Sequence, residues 1–391
     1  MPTTTAAAYR VNSIDILRGI VMIIMALDHT RDFFHATAMT ADPLDPATTT
    51  PALFFTRWIT HFCAPTFVLL SGVSAHLSSR SKTKAEASTF LLKRGLWLVL
   101  VEITLVTFGI TFNPSYNFII LQVIWAIGWS MVILGLLVRA SYYVIFVAGV
   151  ILFFGHNILD YLQLPASGIT GNLLSILLTS QGTVIPLDSS HLVGVFYAIL
   201  PWTGIMLMGY SVGVWFHKDF SPEKRKKFLL ATGLSLILLF IVLRMLKGYG
   251  DPGAWDGDSF FSFLNTNKYP PSLQYSCMTL GPALLVLAMI ENVKAGWTKV
   301  VSVYGKVPFF YYILHFYLIH TLLVIVFFAT GHTTSQIVDT RSLFLFRPQT
   351  FGFNLWIVYG VWIFVVAVLY LPCKWYSNYK VQHRRWWLSY V

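Results

Sequence analysis

The sequence predicts an all-α, polytopic membrane protein: about ten transmembrane helices in one bundle, with both termini in the cytoplasm. Three observations carry that fold class. Hydrophobic residues make up 56% of the 391-residue chain and charged residues only 11%, with a mean hydropathy of +0.67, whereas a soluble domain carries about a quarter charged residues. Ten stretches approach the roughly 20 apolar residues that cross a bilayer. The basic residues also alternate in side from one connection to the next.

The segment MPTTTAAAYRVNS lacks the cationic start and small-residue cleavage site of a signal peptide, so the first helix is expected to be retained. The apolar stretches run over about 14–34, 54–77, 95–113, 118–138, 141–156, 191–216, 228–246, 272–290, 307–330 and 354–373. The fifth is short, and ILFFGHNILDYLQLP reads as a half-helix or interfacial piece. The expected organisation is a single membrane domain over 1–391, with cytoplasmic tails at 1–13 and 374–391. With the N-terminus in the cytoplasm, 19 of the 27 Lys and Arg fall inside and 7 outside, while Arg18 lies within the first helix. The connection 157–190 has no Lys or Arg at all. This asymmetry is the positive-inside pattern, so the net charge of +11 reads as topology and not as nucleic-acid binding. Cys63, Cys277 and Cys373 have no metal or redox spacing and read as packing residues. The C-terminal RRWWLSY reads as an interfacial belt.

The first helix is unusual for a spanning segment. SIDILRGIVMIIMALDHTRDFFH carries Asp15, Arg18, Asp28, His29, Arg31, Asp32 and His35, and charges at membrane depth are costly unless they face a polar interior. At 100° per residue, Asp15, Arg18, Met22, Met25, His29 and Asp32 form one stripe about 100° wide, with Asp28 beside it. The charges therefore make a seam that faces the protein, backed by Ile20, Ile24 and Leu27. The plainer readings are an Asp15–Arg18 ion pair and a solvated helix end at DHTRDFFH. The next helix opens with FFTRWITHFCAP, which places His61 at a depth matching His29. Two imidazoles near Asp28 make a general-base constellation, because a carboxylate fixes the imidazole tautomer.

Elsewhere, Lys268 precedes Tyr269-Pro270-Pro271 at an outer helix entrance, where prolines in the first turn cost little. It suits an anionic ligand; the alternative is snorkelling. His315 and His320 lie about 140° apart around one helix, so both cannot face one site. Asp251, Asp256 and Asp258 loosely resemble a calcium loop but lack its closing Glu and spacing, so no metal is expected.

The string RVNSIDILRGIVM followed by Asp28-His29 resembles the opening of transmembrane acyltransferases, in particular the heparan-α-glucosaminide N-acetyltransferase-like family. The wider superfamily similarly starts with L-D-x-L-R-G and a His fourteen residues after the Asp, which here is His29. THFCAPTFVLLSGVSAHLS resembles the family's second helix. ILPWTGIMLMGYSVG resembles a helix whose glycines, here Gly204, Gly209 and Gly213, permit close packing. NTNKYPPSLQY resembles an N-K-x-x-x-S-L segment, and VPFFYYILHFYLIH a late helix with a His at His315. The family's catalytic histidine follows the first helix, where His35 stands.

The resemblance implies transfer of an acetyl or acyl group from a cytoplasmic coenzyme A thioester to a sugar or amino sugar of an envelope glycan on the other side. Acetyl-CoA would be a co-substrate, with no permanently bound cofactor, and the setting a bacterial cytoplasmic membrane. On this reading His29, Asp28, His61 and His35 are the catalytic candidates, and Arg31 or Arg57 stabilises the oxyanion or holds an acceptor. Arg31, Asp32, Arg57, Asn267, Lys268 and His315 are the acceptor-binding candidates. Asp15 and Arg18 mark the donor path, with a basic mouth at Arg80, Lys82, Lys84, Lys93 and Arg94. The rival class is a secondary transporter or permease, for which intramembrane His and Asp are equally natural; no inverted repeat is visible. A structural scaffold would leave the buried ionisable groups without a reason.

Overall fold

The computed structural model describes residues 11–389 except 181, 254, 256, 258, 340, 341 and 384. Most of the expected N-terminal tail, Arg341, Asp256 and Asp258 therefore lie outside the described residues.

The charged seam forms α1 (Asn12–Phe34). The expected second span breaks at His61 and Phe62 into α2 (Pro51–Thr60) and α3 (Cys63–Ser79). Thr50 caps α2 by accepting from the Leu53 N–H, and Pro51 takes the first position, where a missing donor costs nothing. α4 (Lys84–Val101) starts well before the apolar stretch at 95, because Thr83 and Glu86 form a capping box. Lys84, Lys93 and Arg94 thus stand on a helix and not in a loop. A π turn, Glu102–Val106, joins it to α5 (Thr107–Thr111).

The expected fourth span opens as a strand, β1 (Phe118–Leu121), before α6 (Val123–Leu137). α7 (Tyr142–Gly155) and α8 (Gly168–Leu174) follow, then β2 (Thr183–Pro186) and β3 (Leu192–Val195). β3 replaces the start of the expected sixth span, which becomes α9 (Ile199–Val212). The three strands form one sheet in the order β1-β3-β2, with β1 parallel and β2 antiparallel to β3. FIIL and LVGV are short apolar runs abutting helices, which periodicity alone cannot separate from helix.

α10 (Pro222–Leu246), α11 (Phe260–Leu264) and α12 (Leu273–Met289) come next, then α13 (Gly296–Lys306), α14 (Pro308–Ala329) and α15 (Leu355–Gln382). α13 forms where a connection was expected, and α15 continues into the expected C-terminal tail.

Among the described residues, six helical segments are long and apolar enough to cross a membrane: Pro51–Ser79, Tyr142–Tyr161, Ile199–Phe216, Pro222–Leu246, Pro308–Ala329 and Leu355–Gln382. Of the other expected spans, Val123–Leu137 and Leu273–Met289 are apolar but shorter, and α1 has the length but carries the charges. α1 packs against α2, α3, α12, α13, α14 and α15, so every face of it meets protein. This is the position that makes its charge affordable. α7, α10 and α15 expose large apolar residues such as Phe146, Leu238 and Trp356.

Close helix contacts rest on glycine. A Cβ on Gly209 of α9 would strike the Leu69 carbonyl of α3, and one on Gly72 of α3 would strike the Met206 carbonyl of α9. Gly209→Val is expected to cost at least about 1–3 kcal/mol through overpacking, seen as a lower melting temperature in detergent. An unchanged melting temperature would sink this account of the α3–α9 contact.

Candidate active site on the polar face of α1

Successive turns of α1 line three cavities in series. Arg18 and Met22 face a cavity of about 90 Å³ that is also walled by Phe67, Arg94, Val123 and Tyr312. One turn on, Met25, Asp28 and His29 face a cavity of about 30 Å³ with Cys63, Gln122 and Lys268. Beyond it, Arg31 and Asp32 face a cavity of about 410 Å³ with Arg57, His61, Asn267 and Lys268. Phe67 and Val123 are shared by the first two, and Lys268 by the last two. Residues three and four apart on a helix share a face, which is why one seam serves all three.

The charges in this seam are paired. Asp15 and Arg18 form the simple ion pair at 3.5 Å, and Arg18 also donates to Ser74 Oγ at 2.8 Å and the Gly305 carbonyl at 3.2 Å. Asp28 is buried and takes the Arg57 guanidinium of α2 and, at 3.1 Å, the Arg31 guanidinium. Arg31 meets Asp32 at 2.6 Å as well. Buried Arg31 and partly buried Arg57 therefore have their carboxylates, without which these cations would be destabilising.

Asp28 consequently does not orient an imidazole as the sequence suggested; its oxygens are engaged by arginines. His29 pairs instead with His315 of α14, Nδ1 to Nε2 at 2.6 Å, and its ring stacks on Phe316 at 4.3 Å. The proton positions follow by elimination. His315 Nδ1 lies 3.2 Å from the Tyr311 carbonyl, which can only accept, so that nitrogen carries the hydrogen. Neutral His315 then presents a lone pair at Nε2 and must receive the His29 Nδ1–H. His29 Nε2 is left with a free lone pair, the form a general base requires.

His61 sits at the α2–α3 break, where its carbonyl accepts from the Tyr275 hydroxyl at 2.8 Å and its ring packs edge-on to Tyr275. Its ring Nδ1 has no partner among the described residues. His61 lines the largest of these three cavities, while His29 lines the smallest of them. His35 ends α1; its backbone bridges to Phe353, its carbonyl accepts from Arg347 at 2.7 Å, and its ring meets the Thr37 hydroxyl at 3.1 Å. Burial, with Arg31 and Arg347 nearby, holds the His35 imidazole below its ordinary pKa. His320 lies apart from the site, stacked on Phe112 at 3.8 Å.

Lys268 is buried and not snorkelling; its ammonium stands over the Tyr269 and Tyr197 rings at 5.1 and 5.9 Å. The Asn267 side chain is spent within its own loop, donating to the Tyr269 and Pro270 carbonyls at 3.1 Å. Two residues outside the sequence-derived set build this wall. Arg244 donates to the carbonyls of Gly253, Ser262, Phe263 and Asn265 at 2.6 to 3.1 Å. Asp251 accepts from Ser272 Oγ at 2.7 Å and the Asn267 N–H at 2.9 Å. Asp251 thus organises a loop. Among the described residues no three His, Cys, Asp or Glu are grouped to hold a metal ion. Arg244 also reaches Gln274 Oε1 at 3.4 Å and Asp251 at 3.8 Å, but four of its partners are backbone carbonyls, which no side-chain pattern records.

The site therefore joins an unprotonated imidazole nitrogen, a buried ammonium and a chain of cavities. The family described as heparan-alpha-glucosaminide N-acetyltransferase, catalytic, matches residues 10–243, more than half of the chain. Lys268 and His315 lie beyond the matched residues but pack onto the matched part. No curated protein matches the chain.

Proposed function

Because the chain belongs to the heparan-alpha-glucosaminide N-acetyltransferase catalytic family, we propose that it is a membrane-embedded enzyme that moves an acetyl group from a coenzyme A thioester to a sugar or amino sugar of an envelope glycan. The observation that carries this reading is the His29–His315 pair, whose free imidazole nitrogen belongs to a residue lining the middle of three cavities. The acceptor occupies the large cavity beside Lys268, and the pantetheine arm the cavity beside Arg18 and Arg94. The acetyl group lies between them. A cavity of about 30 Å³ holds no more than a couple of waters or a group of that size, which favours acetyl over long acyl chains.

In the transfer, His29 Nε2 takes a proton from the acceptor amine or hydroxyl as its nitrogen or oxygen bonds to the carbonyl carbon. The C–S bond then breaks, and the imidazolium returns the proton to the departing thiolate. His315 holds the His29 tautomer throughout. Asp28 keeps Arg31 and Arg57 neutralised and in place, and Asp32 shares Arg31. Arg80, Lys82, Lys84, Lys93 and Arg94 receive the donor's phosphates at the cytoplasmic face.

Purified protein in nanodiscs, given acetyl-CoA and glucosamine, is expected to release the free thiol and form the N-acetyl sugar. A transporter would leave the thioester intact, and that result would overturn the proposal. The 19-to-7 basic asymmetry supports cytoplasmic termini in a bacterial cytoplasmic membrane. Lys224→Cys and Asp188→Cys are accordingly expected to label from opposite sides of sealed vesicles, since Cys63, Cys277 and Cys373 are buried. Labelling of both from one side would refute the orientation.

A further inference from the structure

Acyl transfer needs a hydrogen-bond donor at the carbonyl oxygen, which becomes an oxyanion as the acceptor adds. Arg31 and Arg57, the cations the sequence suggested for this work, are already held by Asp28 and Asp32. A different group is free. Gln122 lines the same cavity of about 30 Å³ as His29, and its carboxamide makes no hydrogen bond to any described residue.

The Gln122 backbone, by contrast, is tightly held. Its N–H donates to Glu102 Oε1 at 2.6 Å, and Glu102 has no solvent exposure. Glu102 opens the π turn, a feature that often occurs at functional sites. The Thr107 hydroxyl ties that turn to β1: it lies 2.9 Å from the Glu102 carbonyl, and the Ile120 N–H donates to it at 3.3 Å. Gln122 is thus pinned between β1 and α6, directly before the positive end of the α6 dipole. Its neighbour Val123 walls both the first and the second cavity. A neutral donor in this place meets the acetyl carbonyl where the donor arm passes into the His29 cavity.

We propose that the Gln122 carboxamide donates to the thioester carbonyl oxygen and to the oxyanion formed from it, and that Glu102 is the positioning residue that holds Gln122 there. This rests on the acetyltransferase reading above. During the transfer the carbonyl π electrons move onto oxygen, the amide N–H stabilises them, and they return as the C–S bond breaks; Gln122 itself neither gains nor loses a proton.

The test compares wild type, Gln122→Leu, Glu102→Gln and Glu102→Leu in nanodiscs with acetyl-CoA and glucosamine. It is read by kcat, KM and the infrared band of carbonyl-¹³C acetyl-CoA. Gln122→Leu is expected to lose about 10²–10³-fold in kcat, with KM for acetyl-CoA changed by no more than about twofold, as for an interaction made mainly in the transition state. The bound carbonyl band is expected to lie lower in wild type than in Gln122→Leu. Glu102→Gln, which still accepts from the Gln122 N–H, is expected to lose less than Glu102→Leu, again in kcat and not in KM. Gln122→Met, of the same length, serves if Gln122→Leu does not insert. Near-normal kcat in the Gln122 variants, or an unshifted carbonyl band, overturns this inference while wild-type turnover leaves the acetyltransferase reading standing. A wild type that leaves acetyl-CoA intact overturns both.

Discussion

Turnover by His29→Ala protein is expected to fall by about 10²–10⁴-fold, the usual loss on removing a general base, while the protein remains inserted and folded. The fold should tolerate the change because His29 lines a cavity and its hydrogen-bond partner His315 retains the Tyr311 carbonyl. His315→Leu is expected to lower kcat in the same direction, since no other hydrogen bond among the described residues fixes the His29 tautomer. His35→Ala should keep near-normal turnover: the His35 contribution to the α1 end is largely backbone, and its ring meets Thr37 and not the His29 cavity. Steady-state thiol release with acetyl-CoA checks all three. If His35→Ala abolishes transfer and His29→Ala retains it, the chemistry sits in the connection after α1 and the assignment is wrong.

Asp28→Leu is expected to lower stability by up to about 3–5 kcal/mol, because it strands the Arg57 guanidinium in a partly buried site and removes one of the two carboxylates of buried Arg31. The damage falls on the α1–α2 contact, which the Asp28–Arg57 pair bridges. Thermal unfolding in detergent measures it. The double variant Asp28→Leu/Arg57→Met should recover much of the loss, since replacing both partners removes the uncompensated charge. A single variant as stable as wild type would show that water reaches the pair and that the network contributes little.

The polar seam of α1 was legible from the sequence because helical periodicity is local: residues 3.6 apart share a face whatever surrounds them. The close contact at Gly209 agrees with what the family resemblance implied, whereas the break at His61 and Phe62 and the early start of α4 at the Thr83–Glu86 capping box were not read from the sequence, because hydropathy alone does not mark where an apolar helix begins or is interrupted. The strands were not legible, since β1 and β3 abut helices and share their apolar composition. Apart from the Asp15–Arg18 pair, which the i,i+3 spacing offered, which partner each charge of the seam would take was not legible either, because a carboxylate in an apolar setting goes to the strongest donor that reaches it. For Asp28 that donor is a guanidinium brought by α2, which left His29 to another imidazole.

By itself, then, the sequence determined that this chain belongs in a bilayer and that α1 turns its charges toward protein, and it singled out His29 and Lys268 as candidates. These follow from composition and from periods of a few residues, which every segment carries alone. Only the tertiary structure decided that His29 meets His315, 286 positions away, that Arg244 knits four carbonyls into a cavity wall, and that the Gln122 N–H meets Glu102 beside the smallest of the three cavities. Each of these depends on where distant helices end and how closely they pack, and a hydrogen bond at 2.6 Å is set by that geometry and not by spacing along the chain.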